Sequence, residues 1–228
     1  MGIYKNSISL KIVADALSNL SEKFVFIGGA TVDLYANDPA RDEVRPTDDI
    51  DVLVEMLGYA SYSDLNQKLR PLGFQEDITS TVICRYKYQD IVIDIMPTDE
   101  TVLGFTNRWY KEGIQHIFPF HLDPHTIIYL FDIAYFLGSK FEAFKSRGSN
   151  DMRFSSDFED IIYLFDNRIG LLDELQLANL SIKSYLQEEI NQLLKHTHIK
   201  ENISAHLGYG KIAINRTERI LSIWREFV

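Results

Sequence analysis

Residues 45–54 read Arg45-Pro46-Thr47-Asp48-Asp49-Ile50-Asp51-Val52-Leu53-Val54. A polar, proline-containing approach gives way to alternating acidic and apolar side chains, the period of a β-strand. Residues two apart on a strand share a face, so Asp49 and Asp51 point one way while Ile50, Val52 and Val54 face a core. Two carboxylates on one strand face repel each other and lose hydration at the edge of an apolar sheet. Folding alone rarely selects that arrangement. A divalent cation relieves it, and so would the loss of one of the charges.

Working outward, Ile91-Val92-Ile93-Asp94-Ile95-Met96 repeats the device, with a single carboxylate in an apolar strand. Placed beside the first strand, Asp94 joins Asp49 and Asp51 on one face. Three hard oxygen ligands suit Mg²⁺ or Mn²⁺ and not zinc. Each half has a plainer explanation, since Asp-x-Asp is common in surface loops and a strand-end Asp often pairs with Lys or Arg. Upstream, the apolar run Lys23 to Ile27 ends in Gly28-Gly29 before a short helix over 30–35. Glycines there let the backbone approach a phosphate, and a helix start supplies N–H donors. The pair is neither a P-loop nor a dinucleotide fingerprint.

The remaining elements follow from periodicity. Residues 7–20 predict an amphipathic helix, 62–69 a second one ending at Pro71-Leu72-Gly73, and 82–88 with 91–96 a hairpin about Gln89-Asp90. One more strand is expected over 114–121. Asp123-Pro124 has the chemistry of a helix start, the apolar run Thr126 to Gly138 reads as a buried helix, and the pattern stays helical to the end. The fold class is therefore α+β, with a core over 1–122 and a helical domain over 123–228. No flexible linker separates them, so the two are expected to associate closely.

The 228 residues are 46% hydrophobic and 12% aromatic, which excludes a disordered chain. The single cysteine, Cys84, excludes an intrachain disulfide framework and fits a reducing compartment. No secretion signal is expected, and the longest apolar run is too short for a bilayer, so the expected location is the cytoplasm without a membrane partner. A net charge of −10 argues against a general coat for nucleic acid. The histidine groups His116, His121, His125 and His196, His198 lack a zinc-site pattern. Trp109, Tyr110 and Phe118 read as core residues.

The combination of strand, Gly-Gly, helix, Asp-x-Asp strand and a later strand Asp resembles the DNA polymerase beta-like nucleotidyltransferase superfamily. Within it, Phe26-Ile27-Gly28-Gly29-Ala30-Thr31 followed by Arg45-x-Thr47-x-Asp49-Ile50-Asp51 looks like the AbiEii/AbiGii type of bacterial abortive-infection and toxin–antitoxin systems. Lys140-Phe141-Glu142-Ala143-Phe144-Lys145-Ser146-Arg147 and Asp157-Phe158-Glu159-Asp160 are similar to that family's helical motifs. The stretch from Gly29 to Asp49 is longer than the pattern, implying an insertion around 36–44, and the superfamily's Gly-Ser is Gly-Gly here. The resemblance implies a small mixed β-sheet nucleotidyltransferase core with flanking helices, followed by a C-terminal helical bundle. It implies two Mg²⁺ (or Mn²⁺) ions held by Asp49, Asp51 and Asp94. Asp94 would also help remove the acceptor's proton. Nucleotide contacts would come from Gly28, Gly29, Thr47, Lys140, Arg147 and Asp157. Ile133, Lys140 and Arg147, seven apart, should fall on one line of a helix beside its apolar stripe. There the cations either meet phosphates or pair with Asp157 and Asp160.

The first functional expectation is transfer of an NMP from an NTP such as ATP to a hydroxyl acceptor, with release of pyrophosphate. The acceptor would be a tRNA 3′ end, a protein or a small molecule, in a toxin or phage-defence setting that implies a cognate antitoxin protein. A glycosyltransferase using Asp-x-Asp leaves Gly28-Gly29 and Asp94 without work. The alternative of another class is a non-catalytic relative that binds a nucleotide or a protein.

Overall fold

The computed structural model describes residues 2–56, 58–104, 106–148 and 151–228. The chain divides into two compact units, residues 1–33 with 43–132 and residues 34–42 with 133–228.

The first unit holds α1 (Gly2–Leu17), β1 (Phe24–Ile27), a 3₁₀ turn (Gly29–Thr31) and the start of α2 (Val32–Tyr35). The chain re-enters it for β2 (Asp49–Val54), α3 (Gly58–Leu69), β3 (Gln75–Glu76), β4 (Arg85–Tyr88) and β5 (Ile91–Pro97). Two single-turn helices follow, α4 (Glu100–Leu103) and α5 (Tyr110–Gly113), and then β6 (Ile117–His121) and β7 (Ile127–Phe131). The strands form one sheet in the order β3-β4-β5-β2-β1-β7-β6. It is mixed, since β2 runs parallel to β5 and β1 to β7 while the other neighbours are antiparallel. Its centre is apolar on both faces: Val25, Val52, Leu53, Ile93 and Ile95 are fully buried. Leu10 and Val13 of α1 and Leu65 and Leu69 of α3 are fully buried as well. The Tyr62 hydroxyl donates to the Ile95 carbonyl at 3.0 Å, tying α3 to β5. The expected hairpin is present, and Gln89 takes the positive φ (53°) that a two-residue turn requires.

Two expectations are corrected. Asp123 does not start a helix; its carboxylate accepts from the amides of His125 and Thr126, both at 2.8 Å, and shapes the turn between β6 and β7. Residues 127–131 are a strand, registered against β6 from Ile117–Phe131 to His121–Ile127. The apolar run is thus two elements split at Asp132, a strand and then a helix from Ile133. A short continuous apolar run carries no periodicity to separate a buried strand from a buried helix.

The second unit is helical: α6 (Ile133–Ala143) running into a π-helical turn (Phe144–Gly148), α7 (Ser156–Asn167), α8 (Leu171–Gln176), α9 (Leu180–Leu194), α10 (Ile199–Ser204) and α11 (Gly210–Phe227). Ser155 caps α7 by accepting from the Phe158 amide. Trp224 and Phe165 meet edge to face with centroids 5.6 Å apart, among buried Phe136, Phe158, Ile161 and Ile190. Much of the long stretch between Gly29 and Asp49 belongs here. Tyr35 stacks on Phe136 at 4.3 Å, and the amides of Asn37 and Asp38 donate to the Asn167 carbonyl at 3.2 and 3.1 Å. Among the described residues, no helix is long and apolar enough to cross a membrane.

Candidate active site

In the first unit, β2 and β5 pair so that Asp51 lies opposite Asp94 and Asp49 opposite Val92. On the other side of β5, Arg85 of β4 lies opposite Asp94. Directly opposed residues on neighbouring strands share a face, so Asp51, Asp94 and Arg85 form one row across three strands. Asp49 stands one step along on the same face. The three carboxylates singled out in the sequence thus lie on one face of the β2–β5 pair.

Arg85 is placed among them. Its Nε donates to Asp94 Oδ1 at 2.7 Å and its Nη2 to Asp94 Oδ2 at 2.7 Å, a bidentate fork. The same Nη2 donates to Asp49 Oδ2 at 2.9 Å. Hydrogen bonding to Asp94 raises the pKa of Arg85 further above its usual value. Cys84 beside it is buried in the core, and burial and then the Asp94 charge push its thiol up to about 12.

The two glycines serve this carboxylate face. Gly28 has φ +76°, and a Cβ there would sit 1.9 Å from Asp51 Oδ2. Only glycine suits that backbone and leaves room for the Asp51 carboxylate. A Cβ on Gly29 would lie 2.9 Å from the Thr47 methyl and 3.0 Å from Arg45 Nη2, so the backbone of Gly29 is close against the segment that leads into β2. Asn6, a residue with no motif to single it out, fixes that segment. Its side chain donates to the Arg45 carbonyl at 3.2 Å and accepts from the Thr47 amide at 3.1 Å and the Thr47 hydroxyl at 3.3 Å.

Lys140, Arg147 and Asp157 form a second cluster, in the second unit. Lys140 is buried, with Asp160 at 2.6 Å and Asp157 at 3.5 Å. Arg147 makes a two-point contact with Asp157, at 2.8 and 3.1 Å. Burial pushes the Asp157 carboxyl up, but the Arg147 hydrogen bonds and the Lys140 charge outweigh it, so its pKa is lowered. The expectation that Lys140 and Arg147 lie along one helical line is corrected. The π-helical turn adds residues per turn between them, and the Arg147 side chain is 68% exposed against 6% for Lys140.

The donor set of the first cluster fits a hard divalent cation: it is all carboxylate oxygen, and Asp49 and Asp94 already converge on one positive centre. As the side chains stand, no group of three or more His, Cys, Asp or Glu among the described residues is gathered for a metal ion. The guanidinium fills the space between Asp49 and Asp94.

The chain is similar in fold to the crystal structure of an antigenic nucleotidyltransferase-like protein from Paracoccidioides brasiliensis. The TM-score is 0.54 at 17% identity, over 89% of this chain and 93% of that one. The fold is nucleotidyltransferase-like. No family model and no curated protein matches the sequence.

Proposed function

We propose that this protein is a metal-dependent nucleotidyltransferase that moves an NMP from an NTP to a hydroxyl acceptor and releases pyrophosphate. The observation that carries this reading is the row of Asp51 opposite Asp94, with Asp49 beside them and the Gly28 backbone against Asp51. The nucleotidyltransferase-like fold supports it. Asp49, Asp51 and Asp94 would hold two Mg²⁺ or Mn²⁺ ions. When bound, such ions neutralise phosphate charge and make an acceptor hydroxyl more acidic. Asp94, the most buried of the three, is the group offered the acceptor's proton. The acceptor oxygen then bonds to the α-phosphorus as the bond to the bridging oxygen breaks, and pyrophosphate leaves with that electron pair. Gly28 brings backbone close to the phosphates, and Asn6 keeps Thr47 and the entry to β2 in place.

The finer assignment, to the AbiEii/AbiGii type and a cytoplasmic toxin or defence role with an antitoxin partner, rests on the resemblance of residues 26–31 and 45–51. So does a phosphate role for Lys140, Arg147 and Asp157. The acceptor in this reading is an RNA 3′ end, a protein or a small molecule.

The test is incubation with each α-labelled NTP, Mg²⁺ and cell extract. One nucleotide should label one fraction, with pyrophosphate released, and Asp51→Asn should abolish the labelling. If no NTP labels any fraction, the catalytic reading fails and the non-catalytic, nucleotide-binding alternative takes its place.

A further inference from the structure

Arg85 is not part of the chemistry just described, yet it holds two of its three carboxylates. Among the described residues, the ion pairs of Asp49 and Asp94 both run to this one guanidinium. The contact is built into the sheet. Arg85 faces Asp94 across the β4–β5 ladder, and the flanking backbone is fixed by the Ile95 amide donating to the Cys84 carbonyl at 2.9 Å and the Asp77 amide donating to the Arg85 carbonyl at 2.9 Å. The neighbouring cation on the same strand face, Lys87, is held by Asp77 at 2.8 Å. Arg85 therefore has the geometry of a resident counter-ion.

We propose that Arg85 is a displaceable internal cation that competes with divalent metal for Asp49 and Asp94, so that metal enters efficiently only together with a nucleoside triphosphate. This inference rests on the metal-dependent reading above. Its physical basis is competition for the same oxygens. Each Asp94 oxygen already accepts a charge-assisted hydrogen bond, and Asp49 Oδ2 accepts a third. A metal ion that takes those oxygens must release the guanidinium, and charge-assisted bonds are among the stronger ones a fold makes.

Charge explains the coupling to nucleotide. A bare divalent ion that takes the oxygens of Asp49 and Asp94 leaves the Arg85 guanidinium beside it without those carboxylates, so two positive centres stand close together. A triphosphate arriving with the metal supplies the missing negative charge and a planar-fork partner for the released Arg85. The side chain is placed for such a move: it is 25% exposed, and Asp49 on its open side is 36% exposed. Asp94, with its side chain 9% exposed, is the enclosed end of the site.

Mn²⁺ titration of the full chain decides the point, read by calorimetry or by the spin resonance of free Mn²⁺, with and without a non-hydrolysable ATP analogue. Wild type should bind Mn²⁺ weakly alone and about tenfold or more tightly once the analogue is present. Arg85→Gln should bind Mn²⁺ alone about tenfold more tightly than wild type and gain less from the analogue. Arg85→Lys, which keeps the charge but not the fork, should fall between them and guards against a folding defect in the Gln variant. Unchanged or weaker Mn²⁺ binding by folded Arg85→Gln, with wild type binding normally, would overturn the inference and leave the metal-dependent reading standing. Failure of all three proteins to bind Mn²⁺ in any condition would sink both.

Discussion

Asp94 carries two opposed demands, and their balance fixes the sign of a measurable effect. Considered with Asp49 and Asp51 alone, its charge is repelled, and Asp94→Asn would slightly stabilise the fold. Arg85 reverses this. Asp94 is 7% exposed and both its oxygens accept from the guanidinium at 2.7 Å. An amide in its place loses the charge and turns an NH₂ toward an N–H donor. We expect Asp94→Asn to destabilise the metal-free protein by about 1.5–3 kcal/mol, seen as a lower Tm in chelator-treated buffer. Adding Arg85→Gln should recover part of the loss, because the two effects are coupled. A Tm at or above wild type would mean that the ion pair is too solvated to matter. Asp49 and Asp51 were legible at this scale because a strand's two-residue period puts them on one face whatever surrounds them, whereas Asp94 joins them only through the pairing of β5 with β2. The sequence also places Arg85 on the strand before Asp94. Its attachment to Asp49, thirty-six positions away, is a tertiary fact with no local signature. Asn6, forty-one positions from Thr47, was hidden for the same reason.

At the scale of elements, strong patterns were readable and unpatterned ones were not. β2, β5, the β4–β5 hairpin and α3 announce themselves through alternation, turn residues or helical spacing. β7 cannot be told from helix in the sequence because Ile127 to Phe131 is apolar at every position. The π-helical turn after α6 left no mark in a sequence that reads as continuous helix, and it separates exposed Arg147 from buried Lys140. The α6–α7 ion cluster has a pH signature. The Asp157 carboxyl lies below its ordinary 3.8 in the fold. A carboxyl depressed by folding adds stability that is fully present above its unfolded pKa and is lost as pH falls through the folded value. The stabilisation from Asp157 should therefore persist at neutral pH and fade below about 3.8. Asp157→Asn should lower the neutral Tm and flatten the acid limb of a Tm-against-pH plot. An acid limb as steep as that of wild type would show that Asp157 does not carry the effect. Lys140→Ala removes the buried ammonium that Asp160 and Asp157 share and should cost about 3–5 kcal/mol. Its effect on nucleotide binding must therefore be compared at temperatures where both proteins are folded.

For the whole molecule the decisive quantity is how much positive charge is available to a polyanion. The composition gives 23 Lys and Arg against 33 Asp and Glu, and the structure shows where many of those cations are engaged. In the first unit Lys68 pairs with Glu22, Arg70 with Glu76, Arg85 with Asp49 and Asp94, and Lys87 with Asp77. In the second unit Lys140, Lys145, Arg147 and Arg153 pair with Asp160, Glu189, Asp157 and Asp151. Net charge alone is compatible with a local basic groove; the side-chain partners show that these eight cations are already held by carboxylates. A cation already paired releases fewer counter-ions when a phosphate arrives, because it must first give up its carboxylate. An RNA acceptor would then be touched over a short stretch near its reacting end. We therefore expect weak binding of bulk tRNA and a shallow dependence of log Kd on log salt, equivalent to about two or three phosphates at roughly 0.7–0.9 per contact. Filter binding or anisotropy across a salt series measures the slope directly. A slope equivalent to about six or more contacts would mean that these ion pairs open on RNA and that the acceptor is gripped along its length. A slope near zero together with label transfer to protein or to a small molecule would instead identify the acceptor as something other than RNA.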